Sequence, residues 1–204
     1  MDKNYWKKYY ANQNAPLQPS LFARFALKKY IKQKSSLIEL GSGNGRDSIF
    51  FSRNGINVVA IDQCENEISV LKKQNHSKKI KFICDDFTKL GKLGFFDIIY
   101  SRFTLHAIPE KDEDNIIKWS YEHLKNNGKL LIEVRGKKNQ LYKLGNPVLG
   151  EPDAFIYENH YRRFIDIKKF CNKLLSANFK IISAKEKSGF APFGNTDQKF
   201  IRIF

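Results

Sequence analysis

The sequence is short of the residues that would staple a fold or anchor it in a membrane. Its three cysteines, Cys64, Cys84 and Cys171, form no CxxC pair and cannot all pair with one another. That argues against a disulfide framework and for a reducing compartment. The four histidines, His76, His106, His123 and His160, are too dispersed for a zinc pattern, so no metal is expected. No apolar run approaches the ~20 residues of a membrane span. The opening segment MDKNYWKKYYANQ is polar and aromatic, with no apolar signal core. A cytoplasmic protein without membrane insertion is the expectation. Acidic side chains are the minority charge: 21 Asp and Glu against 36 Lys and Arg give a formal net charge of +15. Such a charge attracts nucleic acid, anionic lipid or small anionic substrates. The lysines, however, are scattered through KKYIKQK, KKQNHSKK, RGKKNQ and DIKKF instead of forming one run, as on a solvated basic surface.

What is present is enough for one buried core: 204 residues, 42% of them hydrophobic, with no internal repeat and no low-complexity segment. The stretch PSLFARFALKKYIKQK carries apolar residues at helical spacing behind Ser20 as N-cap. Five short apolar runs follow: SLIEL (36–40), NVVAI (57–61), KIKFIC (79–84), FFDIIY (95–100) and KLLIEV (129–134). Each is apolar enough for a strand covered on both faces. Helical stretches separate them, the last beginning after Pro109 and running to Gly128. That alternation predicts a parallel sheet with helices on both faces. The remainder reads as helix (DIKKFCNKLLSA), strand (FKIISAKE), loop and a closing strand (KFIRIF), the two strands forming a hairpin-like pair.

Between the first strand and the next helix lie Gly41, Gly43 and Gly45, at alternate positions. A turn stripped of Cβ atoms there, at the carboxyl end of a parallel strand, lets a ligand approach the backbone and the following helix N-terminus. A dinucleotide fingerprint would need glycine at 46, where the chain has Arg46. Glu39 before the turn and Asp62 at the end of the second strand instead fit an adenosine ligand without a pyrophosphate.

These residues, ELGSGNG above all, resemble the class I S-adenosylmethionine-dependent methyltransferases, over the chain from about residue 36 to its end. The resemblance implies a single-domain α/β Rossmann-like fold, with a seven-stranded, mostly parallel sheet and an antiparallel C-terminal strand. It implies S-adenosyl-L-methionine as cofactor and S-adenosyl-L-homocysteine as product. Glu39, Gly41, Ser42, Gly43 and Gly45 would bracket the methionine part; Asp62, with Gln63, would take the ribose hydroxyls. Asp86 in FICDDF, with Asp85 as its competitor, would face the adenine amino group, and Phe87 its ring. Ser101, at the end of the fourth strand, completes the cofactor set.

The acceptor side is expected beyond that strand, in YSRFTLHAIPE. Neither the Asn/Asp-Pro-Pro-aromatic motif of amine-directed nucleic-acid methyltransferases nor a Pro-Cys is present, so nucleic acid is disfavoured as a partner. Arg102, His106, Arg135, His160, Arg162 and Arg163 instead recur at the carboxyl ends of the later strands, and fixed guanidinium groups suit a phosphate or carboxylate. His106 and Arg102 are the candidate catalytic residues, His106 because an imidazole titrates near neutrality. YSRFTLHAIPE, IEVRG, NHYRRFID and SGFAPFGNTDQKFIRI also resemble a subgroup of methyltransferases from capsule and surface-polysaccharide clusters. That likeness implies a small anionic or sugar-linked acceptor. The expected layout is an N-terminal lid and helix (1–34), a cofactor core (35–135), an acceptor-side insertion on a long loop (136–163), and a C-terminal helix and strand pair (164–204). A non-catalytic cofactor-binding protein and a nucleic-acid methyltransferase are the alternatives.

Overall fold

The structure is a computed structural model that describes residues 3–11 and 15–204. Two helices, α1 (Lys3–Ala11) and α2 (Leu21–Lys29), precede the sheet. β1 (Ser36–Leu40), β2 (Asn57–Asp62), β3 (Ile80–Cys84), β4 (Phe96–Arg102) and β5 (Leu124–Val134) then alternate with α3 (Arg46–Arg53), α4 (Glu65–Gln74) and α5 (Glu110–His123). α6 (Ile167–Ser176), β9 (Ala184–Lys187) and β10 (Phe200–Ile203) close the chain. The seven-stranded sheet has the order β3-β2-β1-β4-β5-β10-β9, with β10 antiparallel to both of its neighbours. Strand order reverses between β1 and β4, so the carboxyl ends of these strands open a crevice there.

Period-2 alternation sorts the strand side chains into two cores. Leu37, Ala60, Tyr100 and Leu131 face Phe22 and Ala26 of α2, Phe51 of α3 and Ile68 of α4. Their chain neighbours Ile38, Ile61, Ile99 and Ile132 face Ile116 and Ile117 of α5 and Phe170 and Leu174 of α6. Apolar residues stand at consecutive positions in the β-rich runs because both faces are covered.

Three expectations need correction. The helix after Pro109 stops at His123 rather than Gly128, because Leu124 already pairs with Phe96 and backbone pairing replaces the helical bond pattern. FKIISAKE forms a strand only from Ala184. The stretch 136–163 is not a long loop: β6 (Asn146–Val148), β7 (Glu151–Tyr157) and β8 (His160–Arg163) make a separate antiparallel sheet. Its strands are short and punctuated by Gly145, Pro147, Gly150 and Pro152, which is why their composition reads as loop.

One buried polar knot joins three elements. The Ser20 N–H and Oγ donate to Asp47 Oδ1 and Oδ2 at 2.7 and 2.6 Å, and the Tyr100 hydroxyl donates to Oδ2 at 2.8 Å. Ser20 Oγ also accepts the Ala23 N–H at 3.0 Å, capping α2. Ser20→Ala removes both the cap and one partner of a buried carboxylate. It should lower stability by about 1–3 kcal/mol, read as a lower urea midpoint at unchanged slope; an unchanged midpoint contradicts this reading of the knot.

Candidate functional site

The site begins where β1 ends. The Gly41 and Ser42 N–H groups both donate to the Ile61 carbonyl at 2.8 Å, and the Gly43 N–H donates to Asp62 Oδ2 at 2.8 Å. Asp62 Oδ1 accepts the Cys64 N–H at 2.9 Å, so one carboxylate holds the glycine turn against the end of β2. Gly43 sits at φ +54°, and a Cβ there would collide with the Tyr10 ring and hydroxyl. Glycine is required by both conformation and space. Glu39 is buried and accepts from Ser48 Oγ; burial, reinforced by nearby Asp47, pushes its carboxyl well above the usual carboxylate range.

A cavity of about 660 Å³ opens from this turn across the carboxyl ends of β1, β2, β4 and β5. Glu39, Asp47 and Asp62 line its glycine-turn end, and Arg102, Arg135, Arg162, His106 and His160 line the remainder. Tyr5, Trp6, Tyr9 and Tyr10 of α1 cover it. The cover is anchored at both ends: Tyr5 stacks on His160 at 3.9 Å between ring centroids, and Tyr10 lies against Gly43. A further wall comes from the loop between β9 and β10, through Pro192, Phe193 and Gln198.

Sheet register builds the cationic part. Arg102 on β4 lies opposite Glu133 on β5, which lies opposite Arg202 on β10. Fully buried Glu133 therefore accepts from Arg102 Nε at 2.9 Å and from Arg202 Nε at 2.6 Å, and Arg102 packs over the Phe103 ring at 4.0 Å. Arg135, just past β5, is held by neutral groups: its Nη1 donates to Asn139 Oδ1 at 3.0 Å and to Gln198 Oε1 at 2.5 Å. Burial and the neighbouring Arg162 lower its pKa to about 10. On β8, His160 and Arg162 are two residues apart and both enter the cavity. Arg162 Nη1 donates to the Tyr157 carbonyl at 2.7 Å. Among the described residues neither Arg135 nor Arg162 forms an ion pair.

The expectation that His106 titrates near neutrality does not hold. Its Nδ1 accepts the Arg135 N–H at 3.3 Å, which places the proton of the neutral ring on Nε2. Burial, then the charges of Arg135 and other cations nearby, holds the ring well below the usual imidazole range. At neutral pH His106 is a hydrogen-bond donor. His160, with a buried Nδ1 that has no partner among the described residues, is pushed down to about 3 by burial and the same arginines.

Other candidates lie outside the cavity lining. Arg163, next to Arg162 but on the opposite face of β8, pairs with Glu113 and donates to the Ile108 and Leu105 carbonyls. Ser101 is buried and bonded to Thr104 Oγ1 at 2.5 Å. Asp85 is exposed; Asp86 caps a turn of 3₁₀ helix by accepting the Thr88 N–H at 3.0 Å; Phe87 is fully buried in the core. Gly43 and Gly45 shape the turn from behind. Tyr10 belongs to the aromatic segment expected to form the N-terminal lid; Asp47, Asn139 and Gln198 were not among the candidates, and nothing local marks them.

The fit to S-adenosylmethionine rests on the turn itself. Ser42 Oγ and Gln63 Nε2 are buried without hydrogen-bond partners among the described residues, although both residues line the cavity beside Asp62. Buried polar atoms of this kind call for a ligand. The comparisons agree with that class. Residues 7–184 match the family described as "Methyltransferase domain", and the chain belongs to that family. It is 29% identical over 132 residues to malonyl-[acyl-carrier protein] O-methyltransferase of Bacillus cytotoxicus, covering 63% of this chain and 45% of that protein. It is 23% identical to phosphoethanolamine N-methyltransferase of Plasmodium falciparum, covering 78% and 59%. The chain thus spans about half the length of these curated relatives. The fold matches the crystal structure of a SAM-dependent methyltransferase from Methanosarcina mazei, with a TM-score of 0.73 at 19% identity over 87% of this chain and 94% of that one.

The two buried histidines give the molecule an acid limit. Above pH ~6.5 they are neutral in both folded and unfolded chains and exert no pH dependence. Below it the unfolded chain binds protons that the folded rings refuse, so stability falls with pH by up to about 1.4 kcal/mol per unit for each ring. For His160 that window extends to about pH 3. Melting temperature should drop from pH 7 to pH 5, and His106→Asn with His160→Asn should flatten the drop; an equal slope in the double variant contradicts the assignment.

Proposed function

We propose that the protein is an S-adenosylmethionine-dependent methyltransferase that moves a methyl group to an oxygen of a small anionic or sugar-linked acceptor. The acceptor class comprises phosphate or phosphoramidate, carboxylate and sugar hydroxyl, in the assembly of a capsule or other surface polysaccharide. The observation that carries this reading is one cavity running from the glycine turn and Asp62 to Arg102, Arg135 and Arg162, two of them without an acidic partner among the described residues. Its small-molecule scale suits a cofactor and a compact acceptor. The names of the two relatives support an anionic acceptor: malonyl carries a carboxylate and phosphoethanolamine a phosphate, though the second is named for transfer to nitrogen. The capsule role rests on the resemblance of YSRFTLHAIPE, IEVRG and NHYRRFID alone.

Bound S-adenosylmethionine supplies an electrophilic methyl group on a sulfonium. Glu39, Gly41, Ser42 and the turn to Gly45 would hold its amino-acid end, and Asp62 and Gln63 its ribose. Displacement at a sulfonium needs no protein nucleophile, so alignment supplies most of the acceleration, up to roughly 7–11 kcal/mol. Arg102 is suited to orient the acceptor, its Nε fixed by Glu133. His106 contributes a hydrogen bond rather than accepting a proton.

S-adenosylhomocysteine should bind at one site per chain by calorimetry and raise the melting temperature. Asp62→Ala should weaken binding by roughly 10- to 100-fold. Arg102→Ala should spare binding and abolish transfer of radiolabelled methyl to polysaccharide precursors. No heat with the wild-type chain would end this reading.

A further inference from the structure

The fold supplies carboxylates to its other buried arginines and withholds them here. Arg102 and Arg202 share Glu133, and Arg163 has Glu113. Among the described residues, Arg135 and Arg162 are anchored by neutral oxygens, those of Asn139, Gln198 and the Tyr157 and His160 carbonyls. Asn139 is fixed in turn by donating to the Lys199 carbonyl at 2.7 Å. These contacts aim the guanidinium groups and leave their charge intact. Arg162 is buried and Arg135 half-buried, and a fixed pair of undercompensated cations there is costly unless an anion joins them.

Among the described residues, this cavity holds no carboxylate at its arginine end to remove a proton. Its three acids stand at the glycine turn and are engaged: Glu39 by Ser48, Asp47 by Ser20 and Tyr100, Asp62 by the Gly43 and Cys64 N–H groups. His106 Nδ1 is taken by the Arg135 N–H. His160 is hemmed in by Tyr5, Trp6 and the two arginines, whose charges, with burial, oppose its protonation.

From this arrangement we infer that the acceptor oxygen is already an anion when it reacts, a phosphoryl or carboxylate oxygen clamped by Arg135 and Arg162, and that transfer uses no general base. This deepens the methyltransferase reading, on which it rests, and removes the neutral sugar hydroxyl from the acceptor class. A lone pair of the oxyanion forms the new C–O bond to the methyl carbon. The S–CH₃ bond breaks with its electron pair kept by sulfur, the sulfonium and oxyanion charges cancel, and no proton is released.

The test titrates the chain, saturated with S-adenosylhomocysteine at fixed ionic strength, with inorganic phosphate, malonate and methyl glucoside. Phosphate or malonate should bind and the glucoside should not; the stronger of the two anions names the class. Arg135→Gln and Arg162→Gln should each weaken anion binding at least tenfold while leaving S-adenosylhomocysteine affinity unchanged, which also shows that the variants fold. In parallel, labelled methyl offered with phosphorylated, carboxylated and neutral sugars should appear as an ester. Mild alkali frees a carboxyl ester as methanol and leaves a phosphodiester. A chain that binds S-adenosylhomocysteine but neither anion, anion binding indifferent to both variants, or label in a sugar methyl ether overturns the inference. Failure to bind S-adenosylhomocysteine overturns the methyltransferase reading instead.

Discussion

Arg135 and Arg162 keep their charge in a recess where no carboxylate contacts them among the described residues, and the arrangement of the acceptor end depends on that constraint. Burying an ion typically costs several kcal/mol even after relaxation. The structure tolerates the cost by fixing both guanidinium groups with amide and carbonyl oxygens, and the effect on neighbours is visible. Burial and these cations drive His106 and His160 far below their ordinary range, and Arg135 itself is lowered to about 10. Under the proposed reading, such a site is matched to one partner charge and selects it before the rest of the acceptor makes contact.

Strand register turns this electrostatic requirement into a position. The row Arg102–Glu133–Arg202 exists because β4, β5 and β10 place those residues side by side. Alternation on β8 sends His160 and Arg162 into the cavity and Arg163 to Glu113. At the other end Asp62 binds the Gly43 N–H, so the end of β2 sets the shape of the glycine turn, and Tyr10 fills the space that a side chain at position 43 would need. The glycine-turn end is thus built by the parallel strands, and the arginine end by β4 and β5 together with β8 of the small antiparallel sheet, both under α1.

The sheet was legible because its five parallel strands are rich in apolar residues, and β1, β2 and β4 are each followed by a helix. The turn was legible because glycines at 41, 43 and 45 have no other economical explanation at that place. The small sheet of β6 to β8 was not, since its strands are three to seven residues long and carry Pro147 and Pro152. Asp47 lies in the first turn of α3 with nothing local to mark it; only the fold brings Ser20 and Tyr100 to it. Arg162 and Arg163 are identical letters in a row, and their separation became visible only once β8 was known to be a strand. The role expected of His106 failed for a physical reason that no local pattern encodes: the charges around it come from Arg135, just past β5, and from β8.

A crystal structure of the chain with S-adenosylhomocysteine tests the central claim most directly. The account predicts the amino-acid end of the ligand against Gly41 to Gly45, its ribose at Asp62, and its sulfur facing the recess of Arg102, Arg135 and Arg162. A sulfur pointed at aliphatic side chains, or a ligand seated away from the glycine turn, would contradict it.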